Sequence, residues 1–456
     1  MTNEFERDIE MARRIAREID ARGGRTFYVG GFVRDALTGR ENKDVDIEIH
    51  GVSPAGVQEA LDSLGTRLNI GESFGIFGLK GYSVDIAMPR QEKLRGVGHR
   101  DFDVSVDPFI GTFKAAERRD FTINALMQDV LTGEIIDHFG GREHLKKGLI
   151  RHVNDITFAE DPLRVLRAAQ FAARFGFEVA EETVALCRRM DLAALSKERI
   201  DGEMRKALIK AERPSVFFET LRKMNQLSVW FPELEALIGV EQNPKFHAEG
   251  DVWTHTMMVV DAAARFRDRA ADPLGLMLSA VTHDFGKAVT TERIDGVIHA
   301  YGHELKGVPL AERFIGRITN ERRLTEYVLN MVEHHMRPNT AAATGASVKS
   351  TNKMFDRSVD PEGLICIALA DDLGKISDTA GGIHEEFLYE RLRIFKEYMA
   401  RPAVMGRDLI AAGLKPDARF TEILSYAHKL HLAGIEKEDA LKQTLAYARK
   451  LKGTQK

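Results

Sequence analysis

Residues 26–49 read TFYVGGFVRDALTGRENKDVDIEI, and the N-terminal fold follows from how this stretch is divided. Thr26 to Val29 is a strand-like run that enters Gly30, Gly31, Phe32, Val33, Arg34 and Asp35, then a helical Ala36-Leu37. Paired glycines at a strand-to-helix turn let backbone N–H groups approach a phosphate at the helix N-terminus, and Arg34 adds a forked, charge-assisted donor. Such a turn also occurs for structural reasons alone. The run that follows carries more chemistry: Asp44 and Asp46 alternate with Val45 and Ile47, so both carboxylates lie on one face of a strand. Together they form a hard-oxygen shell able to hold Mg²⁺. A third acid, Asp85, stands between Val84 and Ile86 in the alternating run Tyr82 to Ala87, where an inward carboxylate destabilises the fold unless it is paired.

Outward from this stretch, Gly75 to Leu79 and Ser83 to Ala87 read as further strands, mixed with helices up to about residue 150. After Phe158 the period changes to 3.6, as in Leu163, Leu166, Ala169 and Phe171, and strand signals almost vanish. The chain of 456 residues exceeds what one core usually organises, about 200 residues. We expect an α+β protein in which a small mixed-sheet head (1–155) is followed by helical segments 156–245, 246–380 and 381–456. Between Arg90 and Pro108, Gly96, Gly98, His99, Arg100 and Asp101 mix glycine and charge without a core-facing period, which predicts a mobile loop.

The net charge of −4 argues against a protein wrapped in nucleic acid from every side. The charge is uneven, however, with 12 Lys/Arg against 7 Asp/Glu from Lys396 to Lys456, a tail suited to phosphate contact or to solvated helix faces. No apolar run approaches the roughly 20 residues of a membrane span, and Met1 to Arg22 has no apolar core of the signal-peptide kind. Cys187 and Cys366 stand alone, which excludes a disulfide framework and predicts buried thiols in a reducing, cytoplasmic setting.

Gly30 to Asp35 followed by Lys43-Asp44-Val45-Asp46 resembles the catalytic signature of the class II tRNA nucleotidyltransferases, the CCA-adding enzymes and their poly(A) polymerase relatives. Arg118-Arg119-Asp120-Phe121-Thr122-Ile123-Asn124-Ala125-Leu126 is similar to the second motif of that family, which implies ribose and phosphate recognition by Arg119, Asp120 and Asn124. Asp137-His138-Phe139-Gly140-Gly141 resembles the third motif, a joint between head and neck. The fourth is Glu160-Asp161-Pro162-Leu163-Arg164, in order within the first 180 residues. In the 90–108 loop, Arg90-Gln91-Glu92-Lys93 resembles the flexible element that the family uses in switching from C to A addition.

Pro162 suits the first turn of a helix, so a carboxylate from Glu160 or Asp161 opens it and Arg164 follows one turn later on the same face. Adenine and cytosine each present an amino donor beside a ring-nitrogen acceptor, and guanine and uracil present the reverse order. Asp161 accepting and Arg164 donating therefore suit A and C alike; an ordinary helix-capping ion pair is the plain alternative. The resemblance implies that these residues act as a protein template, with Arg167 near the triphosphate. Basic clusters Arg188-Arg189 and Arg205-Lys206 in the following helices suit either tRNA contact or solvent. Met405 to Leu409 and Gly413 to Pro416 are similar to the family's C-terminal helical segment.

A second constellation lies further along. His283-Asp284 follows the apolar run Leu274 to Val281, so a helix carries both polar residues into an interior where they need partners. With His255 and Asp371 they resemble the H…HD…D set of the HD phosphohydrolases, which binds a divalent transition metal or Mg²⁺. Asp372 competes with Asp371 for the last place. His303, with either His334 or His335, resembles the additional ligands of binuclear members.

The expected reaction is attack of a tRNA 3′-hydroxyl on the α-phosphate of CTP or ATP, with Mg²⁺ in the head and no obligate protein partner. A metal-dependent phosphatase or 2′,3′-cyclic phosphodiesterase activity accompanies it. The rivals are an A-adding enzyme, a poly(A) polymerase and a phosphohydrolase whose head only docks RNA.

Overall fold

The strands of the head are β1 (Arg25–Val29), β2 (Val45–His50), β3 (Arg67–Gly71), β4 (Ile76–Leu79), β5 (Val84–Ala87), β6 (Arg90–Leu94), β7 (Phe102–Val106), β8 (Met127–Asp129) and β9 (Ile135–Ile136). Seven of them form one sheet in the order β3-β4-β5-β2-β1-β8-β9, in which β2 and β5 are parallel and the other pairs antiparallel. The structure, a computed structural model, describes residues 2–40, 44–71, 75–94, 102–376 and 385–453. On β2 the alternation read from the sequence holds: Val45, Ile47 and Ile49 are buried apolar residues, and Asp46 and Glu48 fall between them. The helices Thr2–Asp20 and Pro54–Leu64 bury Met11, Ile15 and Ile19, and Val57, Ala60 and Leu61. Burial of roughly 1.5–3 kcal/mol per large apolar side chain is what holds this layer in place.

The chain packs as two compact units, residues 1–207 with 216–230, and residues 208–215 with 231–456. The second unit is helical. Three of its helices begin on aspartates that accept a backbone N–H: Asp251 from Thr254, Asp272 from Gly275 and Asp360 from Gly363. In the last two the aspartate precedes a proline at the first helical position, which fixes the start of the helix without wasting a donor. Leu276, Met277, Val281, Phe285, Phe314, Val328, Met331, Leu364 and Ile367 fill the core that these helices enclose. Val404, Leu409, Ile423, Ala427, Ala440 and Ala448 form a separate cluster near the C-terminus.

Two elements differ from the sequence reading. Much of the expected 90–108 loop is an antiparallel ribbon, β6 against β7, with Arg90 opposite Val106 and Leu94 opposite Phe102. Alternation across two short strands joined by a long connection leaves no local period to detect. The glycine-rich tip of that loop, Gly96 to Asp101, lies outside the described residues, as does Lys43. The second difference is a hairpin in the helical half, Glu292–Ile294 against Val297–His299. Its turn residues Asp295 and Gly296 have φ of 48° and 81°, the left-handed pair of a type I′ hairpin, and Asp-Gly is the dipeptide that favours it. Among the described residues no helix is long and apolar enough to cross a membrane, and Cys187 and Cys366 are buried free thiols.

Candidate functional sites

The parallel register of β2 and β5 sets Asp46 opposite Asp85. Their side chains leave the same face of neighbouring strands, roughly 5 Å apart. Asp44, two residues before Asp46, shares that face. Burial, followed by the charges of Asp85 and Asp44, pushes the Asp46 carboxyl up to about 6, against the opposing pull of Arg119. A carboxyl that resists ionisation because it is buried and other acids crowd it fits a divalent cation, whose charge offsets both penalties.

Gly30 has φ 63° and ψ −128°, a conformation that side-chain-bearing residues rarely adopt, and a Cβ there would lie 3.3 Å from Nη1 of Arg119. Arg119 donates to Glu48 at 3.0 Å, on the same strand as Asp46. The glycine turn, the second motif and the acidic strand thus meet at one place. Gly31 opens the helix Gly31–Leu37.

Arg34 is engaged differently from the sequence expectation. Its guanidinium is buried 5.3 Å from the ring centre of Phe171 and 4.5 Å from that of Phe175, and it donates to Asp35 and to Asn124 at 2.7 Å each. The forked contact foreseen for a phosphate is made inside the protein, because a guanidinium packed between rings needs internal acceptors. Asn124 in turn donates to Asp120 at 2.9 Å, and Asp120 accepts from Arg167 at 2.7 Å. Arg167 lies 3.9 Å from Glu203, which pairs with Lys206 at 2.8 Å. Burial pushes the Asp120 carboxyl up, but the charge of Arg167 and the hydrogen bonds from Asn124, Arg167 and the Phe121 amide outweigh it and hold the group below its ordinary range. One polar chain therefore links residues of the first and second motifs to Arg167, one turn beyond the fourth.

At the fourth motif Asp161 accepts from Arg199, 2.9 and 2.8 Å from its two carboxylate oxygens, and also from the Leu163 amide at 3.1 Å. Arg164 donates to the carbonyls of Thr157 and Arg118. Glu160 accepts from Arg118 at 3.2 Å. The i, i+3 ion pair between Asp161 and Arg164 is replaced by these partners; Arg199 lies on the helix Lys197–Lys210, beyond what local spacing reveals.

In the second unit the histidines and aspartates converge. His255, His283 and Asp371 offer ligand atoms within 4.8 Å of one another, and so do Asp284, His303 and His335. Asp284 faces both groups. Its Oδ2 is 3.2 Å from Nε2 of His283 and 3.5 Å from that of His255, and its Oδ1 is 3.3 Å from Nε2 of His303 and 4.0 Å from that of His335. Three of the rings are oriented alike: Nδ1 donates to the carbonyl three residues earlier, His283 to Ala280 at 2.9 Å, His303 to Ala300 at 2.9 Å and His335 to Val332 at 2.7 Å. A neutral imidazole has one N–H, so this leaves the Nε2 lone pairs aimed at the centre, the form that binds a metal. Nε2 of His283 is buried without a hydrogen-bond partner, an orphan that a metal ion would satisfy.

The carboxylates of this cluster are held well below their ordinary range. For Asp284, burial is outweighed by the neighbouring His283, Lys287 and His303; for Asp371, by Lys375 and His255. Burial and the neighbouring His283 push His335 down to about 3, which keeps it a neutral ligand. Both open choices receive a geometric answer. Asp371 faces the cluster, with Oδ1 3.0 Å from Nε2 of His255, whereas Asp372 accepts from Asn339 at 3.0 Å. His335 joins the cluster, and Nδ1 of His334 lies 3.7 Å from Glu333. Neighbours on a helix point about 100° apart, so only one of each doublet reaches the centre.

Sequence reading missed His247 and Glu249, which group with His255. They stand in an aperiodic segment before the Asp251 cap, and the His-x-Glu spacing was the one available signal.

Residues 26–151 match the poly A polymerase head domain, 176–238 the probable RNA and SrmB-binding site of polymerase A, and 252–376 the HD domain. The chain is 35% identical over 407 residues to the multifunctional CCA protein of Pasteurella multocida, covering 86% of this chain and 93% of that one. With the protein of the same name from Actinobacillus pleuropneumoniae serotype 5b it shares 38% over 316 residues, 68% and 74% of the two chains. Among solved structures, the Thermotoga maritima CCA-adding enzyme complexed with tRNA-CCA has the same fold, with a TM-score of 0.65 at 20% identity over 96% of this chain and 95% of that one. The three domains in this order, and the identity sustained over most of both chains, place the protein in the CCA-adding tRNA nucleotidyltransferase family, in the branch that carries an HD domain.

Proposed function

We propose that the protein adds C and A from CTP and ATP to the 3′ end of tRNA without a nucleic-acid template, and that its HD domain hydrolyses phosphate esters. The observation that carries the first part is the meeting of Asp44, Asp46 and Asp85 with the Gly30 turn and Arg119. Asp44 and Asp46 would hold Mg²⁺, with Asp85 completing the acidic set. That ion supplies activation of the attacking 3′-hydroxyl and neutralisation of the triphosphate. Arg119, Asp120 and Asn124 bind ribose and phosphate, Arg34 holds Asn124 in place, and Arg167 steadies Asp120 beside the triphosphate. Asp161, with Glu160 beside it, accepts the exocyclic amino group of the incoming base, and Arg164 donates to the ring nitrogen. In the reaction the hydroxyl oxygen bonds to the α-phosphorus, the bond from the α-phosphorus to the oxygen bridging to the β-phosphorus breaks, pyrophosphate leaves with that oxygen, and the hydroxyl proton passes to solvent.

The division of labour along the chain is a catalytic head (1–155), a neck and body for nucleotide selection and RNA contact (156–245), the HD domain (246–380) and a tRNA-binding tail (381–456). The family matches at 26–151, 176–238 and 252–376 support the first three of these. For the HD domain, Asp284 facing two histidine groups favours a binuclear centre. His255, His283 and Asp371 would hold one ion, His303 and His335 the other, with Asp284 between them; a transition metal suits the imidazole-rich set better than Mg²⁺. Such a centre, when loaded, would supply an activated water against a phosphate ester, with a phosphate-ended or 2′,3′-cyclic RNA as the fitting class of substrate. Full CCA addition is favoured over A-only or poly(A) synthesis by the multifunctional CCA relatives.

The deciding experiment offers purified protein tRNA ending at the discriminator base, at C or at CC, with each labelled nucleotide in turn. CCA addition predicts C, C and then one A, followed by a stop. Continued A addition would replace this reading with a poly(A) polymerase, and no addition to the first two substrates would leave an A-adding enzyme.

A further inference from the structure

We propose that Glu249 is the positioning residue of the HD centre, the carboxylate that fixes the ring and tautomer of His255 for metal binding. The inference rests on reading the histidine–aspartate cluster as a metal centre. His255 has a different environment from the other three rings. Its Nδ1 lies 3.0 Å from Oε1 of Glu249 and 3.2 Å from the Gly374 carbonyl, and its Nε2 lies 3.0 Å from Oδ1 of Asp371. Carboxylates thus flank both ring nitrogens, and a neutral ring can donate to only one of them.

The choice matters. If Nε2 carries the hydrogen and donates to Asp371, two prospective ligands satisfy each other and the lone pair faces away from the centre. If Nδ1 carries it, Nε2 and Asp371 are both available to an ion. Glu249 tips the balance toward the second form: without it Nδ1 would have only the Gly374 carbonyl against the Asp371 carboxylate, and with it Nδ1 has a carboxylate and a carbonyl while Asp371 already accepts from Lys375.

Glu249 is also built to stay where it is. Its side chain is fully buried, Oε1 accepts from Nδ1 of His247 at 2.7 Å, and Oε2 accepts from the Ile376 amide at 2.9 Å. The Ala248 amide donates to the Ile376 carbonyl at 2.9 Å, so the segment bearing Glu249 is fastened on two sides to the chain that follows Asp371. His247 therefore acts as a second donor that spends one lone pair of the carboxylate and prevents its rotation. Glu249 and His247 lie on the Nδ1 side of His255, whereas its Nε2 is the atom that faces Asp284 and Asp371.

The test uses the full chain stripped by a chelator and titrated with Mn²⁺ and with Co²⁺, read by calorimetry and by the visible absorption of bound Co²⁺. Glu249→Gln keeps the volume but turns an amide N–H₂ toward one of three donors; we expect roughly 10- to 100-fold weaker binding and an altered Co²⁺ spectrum. Glu249→Ala should be weaker still. Nucleotide addition with Mg²⁺, which uses the head carboxylates, should be unchanged in both. The double variant His283→Ala/Asp284→Ala is the control for the centre itself. If it loses the metal while both Glu249 variants bind within about twofold of the parent, the centre stands and the positioning proposal falls. If the double variant also retains the metal, the centre is wrong and the proposal falls with it. Should Glu249→Ala unfold by circular dichroism, the isosteric Gln variant decides.

Discussion

Asp161 is bound through both carboxylate oxygens by Arg199, 38 residues away, while Arg164, three residues away, donates to backbone carbonyls instead. The proposed base-reading pair is therefore assembled from separately anchored side chains, and the two arginines are separable by mutation. Arg164→Ala removes a donor to the ring nitrogen of both A and C. With a mis-faced buried polar group worth roughly 1–3 kcal/mol, selection against U and G should fall by about 5- to 150-fold, beyond any general loss of rate. Arg199→Ala breaks a half-exposed ion pair worth about 1 kcal/mol or less, so it should leave the fold intact and raise KM for CTP and ATP together. Single-nucleotide incorporation with all four triphosphates checks both. An equal loss for all four in Arg164→Ala would reduce that residue to a structural donor, and loss of selectivity in Arg199→Ala alone would make Arg199 the reader.

The raised Asp46 carboxyl gives a pH dependence with a definite sign. Its folded value, about 6, lies above the ordinary carboxylate value of 3.8, so its contribution to stability is present below that ordinary value and is lost as pH rises through about 6. A bound divalent ion removes the loss by holding the ionised form. Mg²⁺ should therefore raise the melting temperature more at pH 7.5 than at pH 5, and the Mg²⁺ needed for half-maximal addition should climb as pH drops below about 6. Asp46→Asn should flatten the Mg²⁺-dependent shift, and Asp44→Ala or Asp46→Ala should abolish addition while tRNA binding stays within a few fold. A Mg²⁺ shift of the same size at both pH values would speak against a cation at Asp46.

The two proposed metal centres would draw their ligands from different compact units, residues 1–207 with 216–230 and residues 208–215 with 231–456. His283→Ala combined with Asp284→Ala removes two ligands, and hydrolysis of a 2′,3′-cyclic or phosphate-ended substrate should disappear. Labelled nucleotide addition by the same preparation should persist. Loss of both activities in a variant that keeps its helical circular dichroism would mean that the activities are coupled, and persistent hydrolysis would place the hydrolytic site elsewhere.

Gly286 follows the His-Asp doublet at a point where no side chain fits. A Cβ there would sit 1.9 Å from the His303 carbonyl oxygen and 2.8 Å from the Gly307 amide nitrogen, both backbone atoms that cannot turn aside. Gly286→Ala must push the helix His303–Ile318 away, and with it His303 from Asp284. We expect about 1–3 kcal/mol of destabilisation in urea unfolding and weakened metal binding. Unchanged stability together with an unchanged metal titration would contradict the close approach.

How far the site could be read along the chain depends on where its partners come from. The Asp44/Asp46 pair was legible because strand alternation is a local rule and Val45 and Ile47 mark the buried face. The Asp295-Gly296 hairpin was legible in principle, since both turn residues take the positive φ that this dipeptide tolerates, but its strands of three residues carry too little pattern to stand out against the helices around them. The ribbon from Arg90 to Val106 was not, because pairing across a long connection is a tertiary property.

Sequence by itself determined the order of domains, the acidic strand after the glycine turn and the H…HD…D residues, because each is set by spacing within one element or by a motif of consecutive residues. Tertiary structure alone decided which residues share a proton, a ring face or a side-chain cluster. It set Asp85 beside Asp46 through the β2–β5 register and turned Arg34 inward onto Phe171 and Phe175. It also gave Asp161 to Arg199, chose Asp371 and His335 over their neighbours, and brought Glu249 to the far side of His255. The reason is physical: a local rule fixes the direction in which a side chain leaves its own helix or strand, and only packing fixes what that direction meets.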